Sequence, residues 1–241
     1  MHRLPFILTL LAAAGCTREQ TAPAATNSAA PPPLAEPAPA SAPQAARTAA
    51  VEERPIIVAF GDSLSEGTGV GFGQSFPDVL QQKLDAAGYK YRVINMGIGG
   101  DTTTGGLARV HTVAALKPEI VLLELGGNDG LRGVPVAATK ANLEKIVEEL
   151  QGAGVGRIML AGMSLPPNYG TAYIRAFENI YRDVAAKYKL ALIPFLFEDI
   201  AKDLAAKPGL MQRDGIHPSA AGHRIMAGTV FRYLKPVLRR S

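Results

Sequence analysis

The sequence predicts an α/β domain with a mainly parallel sheet and helices on both faces. Three observations predict it. Short apolar runs recur along the chain, amphipathic stretches of helical period lie between them, and glycines and polar residues follow directly after the runs. The last of these is where a parallel sheet presents its site-bearing edge.

Residues 56–60, Ile-Ile-Val-Ala-Phe, form an unbroken apolar run closed by Gly61, as expected of a strand buried on both faces. Similar runs fall at 91–95, 119–125, 157–161 and 191–195. Between them, Leu143, Ile146, Val147 and Leu150 share one helical face. Tyr173, Phe177, Ile180, Tyr181, Val184 and Tyr188 share another over four turns. These residues read as core, and the aromatic ones are given no ligand role. No internal repeat interrupts the alternation.

Composition bounds the rest. The chain has 241 residues, enough for one sizeable domain, and 47% of them are hydrophobic, which excludes a wholly disordered chain. With 25 Lys and Arg against 21 Asp and Glu the formal charge is +4, too mild to argue for nucleic acid. The lone cysteine, Cys16, excludes an intrachain disulfide framework and a cysteine-based zinc site. No apolar run approaches the roughly eighteen residues a spanning helix needs.

The first fifty residues read as an address and a tether. A short basic start precedes an apolar run over residues 4–15, the shape of a secretory signal. The run closes Ala13-Ala14-Gly15-Cys16, which resembles the lipobox of bacterial lipoproteins, with Ala13 where that family prefers Leu. The resemblance implies cleavage after residue 15, a lipid on Cys16, and, with Thr17 next, sorting to the outer membrane. Over 21–50, twenty of thirty residues are Ala or Pro, a composition that cannot offset its ordering entropy. The expected organisation is a signal peptide at 1–15, a lipid-anchored disordered tether at 16–54 and a folded domain at 55–241. The basic end (Arg224, Arg232, Lys235, Arg239, Arg240) reads first as a solvated helix end whose cations suit the dipole. An anionic lipid face is the alternative.

Four loops carry the candidate chemistry. The first run leads into Gly61-Asp62-Ser63-Leu64, the second into Asn95 through Thr102, and the third into Gly126-Gly127-Asn128-Asp129-Gly130. Late in the chain comes Asp214-Gly215-Ile216-His217-Pro218. A hydrolytic serine needs a base, a group to orient the base, and donors for the oxyanion. Ser63 lies three residues past its run. Asp214 precedes His217 by three residues in a glycine-containing turn, a spacing that lets its carboxylate accept from Nδ1 while Nε2 faces the serine. His111 and His223 read as packed or solvated. Asn128 is a neutral donor suited to an oxyanion, and Gly100 leaves its N–H approachable. Asp101 reads as a cap for a helix beginning at Thr102, and Asp62 and Asp129 as loop-ordering residues. The nucleophile-elbow pattern is absent, since Ser65 stands two after Ser63. Dinucleotide, Walker and zinc-protease motifs are absent too.

These residues resemble the GDSL, or SGNH, hydrolases. Gly61-Asp62-Ser63-Leu64-Ser65, Gly100, Gly127-Asn128-Asp129 and Asp214-x-x-His217 match that family's blocks in order. Residues 124–133, 168–170 and 211–218 are closer to the thioesterase I, lysophospholipase and arylesterase branch. The resemblance implies a flavodoxin-like three-layer α/β/α sandwich with a five-stranded sheet, and a serine esterase that uses no metal or cofactor. It makes Ser63 the nucleophile, His217 the base and Asp214 its orienter. The oxyanion hole would be the N–H groups of Ser63 and Gly100 with the Asn128 side chain. Leu131 and Val134 of the loop after the third block, with Leu165 and Pro166, would line the substrate site. The expected partners are an acyl or aryl ester and a bacterial membrane, without nucleic acid, in a monomer. A carbohydrate O-acetylesterase and a non-catalytic envelope lipoprotein are the competing readings.

Overall fold

The computed structural model describes residues 54–203 and 209–240, so the expected signal peptide, Cys16 and the Ala/Pro-rich segment lie outside the described residues. Five strands, β1 (Ile56–Gly61), β2 (Arg92–Asn95), β3 (Ile120–Glu124), β4 (Arg157–Ala161) and β5 (Ala191–Ile193), pair in the order β2-β1-β3-β4-β5. Every pairing is parallel, so the sheet is wholly rather than mainly so. Four of the five predicted runs became strands with shifted ends, and that at 157–161 became β4 unchanged. The run at 191–195 stops pairing at Ile193 because Pro194 has no N–H to give the ladder. At the start of β2, Tyr91 turns into the core instead, and its hydroxyl donates to Glu119 at 2.9 Å.

The right-handed crossover rule explains which face each helix takes. The step from β1 to β2 goes one way along the sheet and puts α2 (Phe76–Ala86) on one face. The steps β2 to β3, β3 to β4 and β4 to β5 go the other way. They put α3 (Thr103–Ala115), α5 (Val136–Gly152) and α6 (Thr171–Tyr188) on the opposite face, where α5 packs against both neighbours. The last long helix, α8 (Ala220–Leu234), packs beside α2. Short helices α1 (Ser63–Glu66), α4 (Gly127–Leu131) and α7 (Glu198–Asp203) follow β1, β3 and β5.

The core is the sheet and the facing helix stripes. Ile57, Val58, Phe60 and Ile120 through Leu123 have no exposed surface, and neither do Leu143, Ile146, Val147, Leu150 and Phe177. At roughly 1.5–3 kcal/mol for each large side chain removed from water, this burial is what holds the layers together. Helix α2 begins with a reciprocal cap between Ser75 and Asp78. Its first N–H, that of Phe76, goes to the Nδ1 atom of His223 on α8 at 3.1 Å, so the second face is pinned by a hydrogen bond as well as by packing. Two of the five basic residues at the C-terminal end form internal ion pairs: Arg232 with Glu198 and Asp199, and Arg239 with Glu119.

Candidate active site

Strand order reverses direction between β1 and β3, and in open α/β sheets ligands bind at the carboxyl ends of strands at such a switch point. Ser63 and Asn128 stand there, on the first turns of α1 and α4. Asp62 starts α1 by accepting from the Leu64 N–H at 3.0 Å, which fixes the backbone around Ser63.

The fourth loop closes over the same edge. An antiparallel bridge between Met211 and Pro218 holds its base. Asp214 Oδ1 accepts from the N–H groups of Ile216 and His217 at 2.9 and 3.0 Å, and Oδ2 meets His217 Nδ1 at 2.7 Å. These bonds, the ring first, hold the Asp214 carboxyl down to about 2. His217 Nε2 stands 2.9 Å from Ser63 Oγ. The serine, histidine and aspartate singled out from the sequence thus form one continuous chain, although 154 residues separate Ser63 from His217.

Of the three groups expected to bind an oxyanion, two are open and one is engaged. The N–H groups of Ser63 and Gly100 have no acceptor among the described residues. Both hydrogens of the Asn128 amide are already placed, on Asp62 Oδ2 at 3.1 Å and on the Asp101 carbonyl at 2.9 Å. Those bonds fix the orientation of the amide and bring the 101–102 peptide beside it. Asp101 does not cap α3. Thr102 does, its hydroxyl accepting from the Gly105 N–H, because Thr102 is the residue with extended backbone just before the helix. Asp101 instead pairs with Arg109. Asp129 orders the loops as expected, accepting from the Thr103 N–H and hydroxyl. His111 is exposed and His223 is wholly buried in α8.

A cavity of about 400 Å³ opens beside Ser63 and His217. Leu131, Leu165 and Pro166 line it. Val134 does not: its N–H donates to the Asp129 carbonyl and its own carbonyl accepts from the Tyr173 hydroxyl, which turns that loop residue to a bracing role. The remaining apolar wall includes Met163, Phe195, Phe197, Ile200 and Met211. The sequence pattern missed this wall because 191–195 reads as strand, whereas the chain leaves the sheet at Pro194 and curls over the pocket.

Two further groups behind the site escaped notice. Glu124 ends β3 in register with Gly61, and a side chain on Gly61 would collide with it. It is fully buried. Its Oε2 accepts from the Asp62 N–H at 3.2 Å and the Ser65 hydroxyl at 2.8 Å, while Oε1 has no partner among the described residues. Burial first, then the neighbouring Asp62, push its carboxyl well above the usual range. Burial likewise raises Asp62 to about 6, against the opposing pull of the Leu64 N–H, Glu124, Asn128 and His217. An acid inside an otherwise apolar run was the available signal. The second is Gln212, whose amide donates to the Thr68 and Pro218 carbonyls at 2.7 and 2.9 Å and so ties the histidine loop to the loop after α1.

Five parallel strands in this order, with these loops gathered over an apolar cavity, give the protein a flavodoxin-like architecture, and its relatives make it a carboxylic ester hydrolase. The chain belongs to the GDSL-like Lipase/Acylhydrolase family, whose model matches residues 59–225. Esterase TesA of Pseudomonas aeruginosa is 43% identical over 183 residues, covering 76% of this chain and 89% of that protein. The Escherichia coli protein named thioesterase 1/protease 1/lysophospholipase L1 is 35% identical, covering 76% and 84%. The crystal structure of the psychrotrophic esterase EstA from Pseudoalteromonas sp., inhibited by monoethylphosphonate, superposes with a TM-score of 0.70 at 32% identity, covering 76% and 97%. The chain therefore sits in the thioesterase and arylesterase branch that its motifs resemble.

Proposed function

We propose that the protein hydrolyses esters of medium-length acyl chains, lysophospholipids and aryl esters among them, through an acyl-enzyme on Ser63. The observation that carries this is the hydrogen-bonded series Ser63–His217–Asp214 at the mouth of an apolar cavity of about 400 Å³. A cavity of that size and lining suits an acyl chain better than a sugar, whose hydroxyls would be left without partners.

The Ser63 oxygen attacks the ester carbonyl carbon while His217 Nε2 takes its proton. The carbonyl π pair moves onto oxygen, and the Ser63 and Gly100 N–H groups receive that charge, joined by the Asn128 amide as it turns the hydrogen it gives Asp62 Oδ2 toward the oxyanion and keeps the one on the Asp101 carbonyl. Asp214 holds the ring so that Nε2 is the free base and stabilises the imidazolium that forms. The tetrahedral carbon then expels the alcohol, which takes the proton from His217. Water, deprotonated by the same ring, releases the acid and restores Ser63. Thioesters fit the same steps.

Activity against p-nitrophenyl esters from acetate to palmitate, with Ser63→Ala alongside, tests this. Expected is a maximum at medium chains and a loss on the order of 10⁴-fold in the variant. A variant that keeps a tenth of the rate refutes the role of Ser63, and activity confined to acetate refutes the acyl-chain reading. We assign the enzyme to the bacterial envelope, held by lipid on Cys16, on the lipobox-like sequence alone. Labelled palmitate should enter the wild-type chain and not Cys16→Ala, and an unlabelled wild type refutes the anchor.

A further inference from the structure

The geometry points to Arg109 as the residue that positions the oxyanion-binding loops, an inference that rests on the mechanism proposed above. The three proposed donors come from the ends of three strands: Ser63 after β1, Gly100 after β2 and Asn128 after β3. Backbone pairing between the first two loops runs only as far as the Met96 and Ile98 N–H groups, which donate to the Ala59 and Gly61 carbonyls at 2.8 and 3.1 Å, and it stops short of Ser63 and Gly100. Arg109, on the second turn of α3, reaches back into the gap. Its Nη2 donates to the Gly61 carbonyl at 2.9 Å, two residues before Ser63. Its Nη1 donates to the Met96 carbonyl at 2.8 Å and its Nε to Asp101 Oδ2 at 2.8 Å, on either side of Gly100. The carbonyl of that same Asp101 accepts from the Asn128 amide at 2.9 Å. One guanidinium thus touches the first loop, brackets the second and reaches the third through its ion-pair partner.

The surroundings are built around this contact. The Arg109 and Asp101 side chains are only 15% and 10% exposed, so the pair is screened little by water. The guanidinium lies 4.6 Å from the centre of the Phe60 ring, in a cation–π contact. Asp101 Oδ1 accepts from the Thr102 N–H at 3.0 Å and occupies the space a Cβ on Gly105 would need, so a helix position is left without a side chain to seat this carboxylate. Three donor atoms aimed at three separate acceptors require a planar fork; a lysine ammonium at the same place has neither the reach nor the angles.

A residue of this kind acts on the transition state through other groups, and its effect must be separated from loss of folded enzyme. The ratio of kcat for a p-nitrophenyl ester to kcat for its thionoester analogue does so. Sulfur accepts hydrogen bonds poorly, so a well-formed oxyanion hole favours the oxygen substrate, and the ratio does not depend on the fraction of enzyme folded. In the full-length protein, Arg109→Gln and Arg109→Lys should lower kcat for the ester by about 10²-fold with KM within about threefold, the scale of losing one oxyanion donor. The ester-to-thionoester ratio should fall at least about tenfold. If Arg109→Gln yields too little folded protein, Gly105→Ala, which displaces Asp101, should lower the ratio in the same direction. A ratio within about twofold of wild type in Arg109→Lys and Gly105→Ala overturns the role of Arg109 while leaving the proposed triad standing. Turnover that survives Ser63→Ala overturns the mechanism itself.

Discussion

His223 should make the stability of this enzyme fall in mild acid by an amount the structure sets. The imidazole is wholly buried in α8, its Nδ1 accepts from the Phe76 N–H at 3.1 Å, and its Nε2 has no partner among the described residues. Protonation would place a second N–H against the Phe76 donor and leave a charge in the core. Burial, with a smaller push from His217 and a small opposing pull from Asp78, lowers the ring from 6.5 to about 4. Between those values the unfolded chain binds a proton that the folded one refuses. Stability from this group is therefore complete above pH 6.5 and is lost as pH falls toward 4. At 1.36 kcal/mol per pH unit the loss is about 3 kcal/mol, or about 6–12 °C in Tm for a domain of this size. Asp62 and Glu124 titrate in the opposite sense, since raised carboxyls favour the folded state at low pH. The effect must be read as a difference between wild type and His223→Gln, whose amide oxygen replaces Nδ1 as acceptor. Urea unfolding at several pH values from 4 to 8 should show the wild type losing about 3 kcal/mol more than the variant on acidification. A difference curve that stays flat across that range refutes the argument.

Two further outcomes follow from the site. Glu124→Gln keeps an oxygen for the Asp62 N–H and the Ser65 hydroxyl and mimics the protonated acid, so it should retain activity. Because the wild-type carboxyl holds its proton only when folded, the variant should gain stability relative to wild type from pH 5 to pH 8; an equal deficit in urea unfolding at both ends contradicts this. Glu124→Leu leaves both donors unpaired and should cost about 2–5 kcal/mol. Ile200→Phe adds bulk to the pocket wall and should lower kcat/KM for octanoate about tenfold relative to acetate. An unchanged ratio removes α7 from the acyl site.

Much of the architecture was legible because strand burial and helix amphipathicity are local patterns. The apolar run at 157–161 became β4 without adjustment, and Leu143 through Leu150 faced the core as their spacing required. The Ser63, Asn128 and His217 loops could be picked out because polar residues and glycines at strand ends are conspicuous against buried sequence. Misreadings came where a residue's role depends on what crosses the sheet to meet it. Asp101 looked like a cap and is an ion-pair partner, and Val134 looked like a pocket wall and is a brace. Phe197 and Ile200 gave no signal as pocket residues, because the turn at Pro194 that carries them over the cavity is a matter of three-dimensional path.

The sequence by itself determined the alternation of strands and helices, the family blocks and the residue types available for ester hydrolysis, since each depends on identity and short spacing. Only the tertiary structure decided that His217 reaches Ser63 across 154 residues, that Glu124 shares a buried site with Asp62, and that one arginine joins the ends of β1 and β2 through Gly61, Met96 and Asp101. The physical reason is one of range. Periodicity and capping act within a few residues along the chain, whereas hydrogen bonds and desolvation act between whatever atoms the packed sheet brings within a few ångströms of each other.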